Sequence, residues 1–164
     1  MDDSSPRPTL VHFALSTLIL GLCAAALVLV GVGIARGRGA DPTLGLYCVA
    51  LIVSQGLACF GRLRWAAWAC TALTAVAGMY FASIVIEVTS ARIAPFRWQV
   101  VLRLSLLTVF FAVATLANGQ WARKLSKAEA KPGFILRYSL AELATILTIL
   151  CAVAAVVAKM FRDG

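Results

Sequence analysis

WAAWACTALTAVAGMYFASIVIEV, residues Trp65 to Val88, decides the fold. At 1.5 Å per residue a helix of this length reaches roughly 36 Å, against a hydrocarbon core of about 30 Å. Ala66, Cys70, Thr74, Gly78 and Ala82 recur every fourth residue, so as a helix they form one narrow stripe. Small residues in such a stripe let two helix backbones approach closely. Beyond the foot of the stripe sits a carboxylate, Glu87. The stripe reads as a packing seam, and the segment as the spine of a helical bundle.

The composition agrees. Of the 164 residues, 62% are hydrophobic, and the mean hydropathy is +0.92. A soluble domain is about 45–50% apolar. A chain this small leaves much of its surface exposed, so the apolar excess faces lipid. Only helices and closed barrels satisfy their backbone polar groups there. The apolar runs here are of helical length and do not alternate as strands do.

Working outward from the spine gives five predicted membrane-spanning helices at 10–35, 43–60, 65–88, 96–118 and 140–160. The first follows Thr9, a natural N-cap, and is about twice the length of a signal-peptide core, so it reads as a retained span. His12, the single histidine, reads as a polar end group, since no ligand partners accompany it. Gly21 and Ala25 form a further small-residue pair. Asp41 and Pro42 suit the start of the second span. Within that span Gln55 is the candidate buried polar residue, because an unpaired amide in hydrocarbon costs several kcal/mol. GRLR, residues 61–64, turns the chain tightly back, with Trp65 and Trp68 as interfacial aromatics.

The fourth span opens after Pro95 and is expected to end at Asn118–Gly119, a helix-terminating pair. Arg103 lies about two turns inside it and needs a partner or an outward path. Antiparallel connectivity sets Glu87 and Arg103 at similar depth, so the two are expected to form an intramembrane ion pair that fixes the third and fourth spans in register. The segment 119–133 is basic. Trp121, Leu125 and Ala128 share one face, flanked by Arg123, Lys124, Lys127 and Lys131. It reads either as an interfacial helix whose cations contact anionic lipid or as an extension of the fourth span. Ser139 and Glu142 form a capping box for the last span. The first and last spans share a TxxxxLCAxA pattern, Thr17–Ala26 and Thr145–Ala154, which apolar composition alone produces easily.

The net charge is +8, but the cations fall in small groups between spans. Nucleic-acid binding needs a continuous basic track, and none is present. Groups of this kind set topology instead. With five crossings, one side holds Arg7, Arg62, Arg64, Arg123, Lys124, Lys127, Lys131 and Arg137, eight in all. The other holds Arg36, Arg38, Arg92, Arg97, Lys159 and Arg162, six, or seven with Arg103. The positive-inside rule then puts the N-terminus inside, in a bacterial-type cytoplasmic membrane. The five cysteines, Cys23, Cys48, Cys59, Cys70 and Cys151, form no C-x-x-C pair and read as soft packing residues.

No H-E-x-x-H, second histidine, G-x-S-x-G or P-loop occurs. The expectation is a single integral domain over 1–164 with no cofactor and no metal. It would be a non-enzymatic membrane component or accessory subunit of a larger assembly. Its partners would be the bilayer and other membrane subunits or further copies of itself. The alternatives are a small oligomeric transporter or channel for an ion or small solute, and a lipid-acting membrane enzyme.

Overall fold

The chain leaves its N-terminal residues at Thr9, whose hydroxyl accepts the His12 N–H at 3.3 Å while its carbonyl takes the Phe13 N–H at 2.9 Å. That cap starts α1, Leu10–Ala35. The computed structural model describes residues 8–35, 42–90, 98–128, 144–149, 151–153, 155 and 159. After α1 come α2 (Pro42–Cys59), α3 (Arg64–Ser90) and α4 (Trp98–Lys127). All four are long and apolar enough to cross a membrane. Of the expected span 140–160, the structure describes a shorter apolar helix, α5 (Ala144–Val153). There is no strand among the described residues. The chain is an all-α bundle of membrane-spanning type.

Asp41, Pro95, Lys131, Ser139 and Glu142 lie outside the described residues, and with them the expected caps and part of the basic segment. Between α2 and α3 the hairpin is as tight as GRLR implies. Phe60 N–H bonds Gly56 O at 2.9 Å, Leu63 N–H bonds Leu57 O at 3.1 Å, and Arg62 takes a left-handed φ of 50°.

The helices pack in chain order. α3 and α4 share the most extensive seam, α1–α2 and α2–α3 follow, and α1–α4 is much thinner. The α3 stripe lies where expected. Ala66, Cys70 and Thr74 are buried. Gly78 brings α3 onto Phe111 of α4, where a methyl added to the glycine would stand only 3.5 Å from the Phe111 Cβ. Ala82, further along, is half-buried. On α1, Gly21 faces Val153 of α5, whose Cγ2 lies 3.1 Å from where a Cβ would stand.

Two expectations change. α4 does not stop at Asn118–Gly119 but continues as one helix to Lys127. The physical reason is packing. Asn118 is 3% exposed, and Gly119 sits against Thr71 of α3, so both residues are held by neighbours rather than by a turn. Trp121, Ala122 and Leu125 are buried in an apolar cluster with Ala58, Ala66 and Ala67. The apolar face of this segment therefore covers protein, while Arg123, Lys124 and Lys127 are exposed around it.

The second change concerns Glu87 and Arg103. Both are exposed, and no ion pair joins them. Their shared depth follows from connectivity, but the two helices do not turn them towards each other.

Every buried described residue lies in one half of the bundle. That half takes in α1 up to Cys23, α2 from Cys48, α3 up to Ala77 and α4 from Ala114. The opposite half carries exposed apolar side chains on all four helices, among them Val28, Leu46, Met79, Ile86, Leu102 and Leu106.

Candidate functional site

In the buried half each of the four long helices contributes one polar side chain to a single layer. Gln55 of α2 stands at its centre, 0% exposed. Its Nε2 donates to Ser16 Oγ of α1 at 2.5 Å and to Asn118 Oδ1 of α4 at 3.2 Å. Its Oε1 accepts from Asn118 Nδ2 at 3.3 Å and from the Cys70 thiol of α3. Asn118 Nδ2 also donates to Cys70 Sγ at 3.3 Å. The Ser16 hydroxyl in turn donates to His12 O at 2.8 Å, one turn back. Both amides thus use both donors and their oxygens, which is the condition for burying such groups without loss.

One turn further into the bundle, Thr74 donates to Cys70 O at 2.9 Å and lies 3.2 Å from the Thr115 hydroxyl across the α3–α4 seam. Beyond that the interior is mostly apolar. Ile19, Cys23, Cys48, Leu51 and Ala114 pack together, with Leu27, Phe110 and Phe111 around them. On the other side of the layer Trp121 Nε1 donates to Ala58 O at 2.9 Å, and the His12 ring lies over the Trp121 ring at 5.5 Å between centroids. The polar groups therefore make a disc across the bundle with apolar packing above and below. They do not make a lane along it.

Among the sequence-derived candidates, Gln55 and Cys70 come together in this layer, Thr74 lies one turn beyond it, and Ala66 is buried in the neighbouring apolar cluster. Gly78 and Ala82 continue the seam away from it. Glu87 and Arg103 stand apart, in the open half. Arg123, Lys124 and Lys127 ring the end of α4.

Sequence reasoning missed Ser16, Asn118 and the burial of His12. A signal for Asn118 was available. Ala114, Asn118, Trp121 and Leu125 are spaced i, i+4, i+7, i+11, and all four are buried on one face. That period runs straight through the Asn–Gly pair. No group of three or more His, Cys, Asp or Glu among the described residues could hold a metal. No family model, curated protein or solved structure matches the chain, so function has to be argued from the arrangement itself.

Proposed function

We propose that the protein is a non-enzymatic membrane component that works as a subunit of a larger membrane assembly. The observation that carries this reading is the division of the bundle into a closed half and an open one. In the closed half the polar layer is saturated by its own members, so it has nothing left to offer a solute or a reaction. In the open half Glu87, Arg103 and Tyr80 are exposed on the membrane-spanning helices along with broad apolar faces. Ionisable side chains in spanning segments almost always face a bundle interior rather than lipid. Membrane-spanning helices of another subunit, bringing groups of opposite charge to Glu87 and Arg103, would supply that interior. A second copy of this chain meets the requirement in the simplest way, because it carries both charges.

Mass determination of the complex extracted at native expression level in mild detergent tests this. A stable species containing more than one polypeptide is expected. A single chain carrying only lipid and detergent would overturn the reading. We further place the N-terminus, the 61–64 hairpin and the basic end of α4 on the cytoplasmic side, as their clustered cations favour. Reporters fused at residues 61–63 and at the N-terminus should both report that side.

A further inference from the structure

The thin seam between α1 and α4 opens into a cavity of about 210 Å³ beside the first turn of α1. Thr9 and His12 line it from α1, and Ala117, Gln120, Trp121 and Lys124 from α4. His12 is only 5% exposed, yet neither Nδ1 nor Nε2 has a hydrogen-bond partner. Trp121 does not supply one, because its indole N–H is committed to Ala58 O and its ring meets the imidazole only at a tilt of 33°. A buried polar group left without a partner needs a reason, and the residue that carries these two nitrogens lines the cavity.

The chemistry around the cavity is one-sided. Either tautomer of His12 has an N–H to give. The Gln120 amide and the Thr9 hydroxyl can donate, and the Lys124 ammonium stands at the exposed rim. The early N–H groups of α1, which have no intrahelical acceptor, lie at the same end and add partial positive charge. No carboxylate among the described residues lines the cavity. The volume admits a compact oxyanion but not a whole lipid, and the level is that of the helix end, where lipid phosphates lie.

We propose that the α1–α4 cavity binds a phosphate-type oxyanion, with His12 donating from inside and Lys124 completing the site at the rim. The group could reach it as the headgroup of an anionic phospholipid or as a free phosphate. This site is separate from the open half of the bundle and does not depend on the assembly role.

His12 is the only histidine in the chain, so selective isotope labelling of histidine gives one imidazole signal that reports the cavity directly. The full-length labelled protein in a neutral detergent would be titrated with inorganic phosphate, and with chloride at matched ionic strength. In parallel it would be placed in nanodiscs of phosphatidylcholine alone and with phosphatidylglycerol added. A saturable shift with phosphate that chloride does not reproduce is expected if free phosphate enters. A shift with phosphatidylglycerol alone assigns the oxyanion to a lipid headgroup. In whichever arm responds, Lys124→Gln should weaken binding about tenfold, the size of one lost charge-assisted contact. Lys124 is exposed, so the variant should fold like the parent. An imidazole signal unmoved in every arm would overturn the proposal. So would a shift that chloride reproduces or that Lys124→Gln leaves unchanged.

Discussion

Gln55 carries more of the fold's specificity than any apolar side chain near it, because hydrocarbon offers no substitute partner for an amide. Interhelical hydrogen bonds in membranes contribute only about 0.6 kcal/mol on average and up to about 1.7. Removing one member of a closed network costs more, since the members left behind become unsatisfied at about 1–3 kcal/mol each. Gln55→Leu would strand Asn118, whose amide loses both of its hydrogen bonds to α2 and keeps only that to Cys70 Sγ. Unfolding in mixed micelles, followed by circular dichroism, should therefore show a loss of about 1–3 kcal/mol. Gln55→Leu combined with Asn118→Leu should cost less than the two single changes added together, because neither amide is then left alone. Strict additivity would mean that the layer is not a network. At this scale the sequence was half legible. An amide inside an apolar run advertises its need for a partner, so Gln55 could be named. Which residue answers it depends on helix phase and azimuth, and Asn118 sits in a dipeptide whose local signal is to end a helix. Tertiary packing overrode that signal.

Among the elements, α2 and α3 were legible almost to the residue, because their join is written in breakers and cations. The structure adds a detail that no composition rule contains, the left-handed φ of 50° at Arg62. A residue with a Cβ pays roughly 1–2 kcal/mol in that conformation, and glycine does not. Arg62→Gly should therefore stabilise the α2–α3 hairpin by about 0.5–1 kcal/mol after allowance for glycine's freer unfolded state. A measured loss of stability would show that the Arg62 side chain holds the turn more than its backbone strains it. The α3–α4 seam gives a contrasting pair. At Gly78 an added methyl would meet Phe111 at ordinary contact distance, so Gly78→Ala should be neutral or stabilise by up to about 1 kcal/mol through helix propensity. Gly78→Ile should cost about 1–3 kcal/mol by forcing the two helices apart. If both variants behave alike in thermal unfolding, the stripe is not a close-packed seam. The length of α4 was the least legible feature among the elements. Its polar last turns look like a separate surface segment until Trp121 and Leu125 are seen to cover Ala58, Ala66 and Ala67.

For the whole molecule, connectivity and rotation are separate facts, and the sequence holds mainly the first. Chain reversal after α3 puts Glu87 and Arg103 at one depth, as expected. Whether they meet depends on how each helix is turned about its own axis. At about 100° per residue, Glu87 lies roughly 110° round α3 from the centre of the buried face formed by Ala66, Ala67, Cys70, Thr74 and Ala77. It points past α4. Arg103 keeps the phase of Ala114, Asn118 and Leu125, but no buried packing reaches that far along α4. The closed half of the bundle gives each charge a depth and leaves it without a partner among the described residues. The consequence separates folding from assembly. Glu87→Gln and Arg103→Gln should each change the stability of the isolated chain by less than about 0.5 kcal/mol, as surface substitutions do. Each should nevertheless lower the fraction of protein recovered in the larger complex. If that complex contains two copies related by a twofold axis, Glu87 of one faces Arg103 of the other, and the reverse contact follows by symmetry. Exchanging the charges, Glu87→Arg together with Arg103→Glu, would then restore assembly that either single reversal abolishes. Restoration, read as complex mass in mild detergent, identifies a second copy as the partner. Loss in the single variants without restoration in the exchange identifies a different subunit. Unchanged mass in all of them would place these charges against lipid and remove the main support for assembly through the open half.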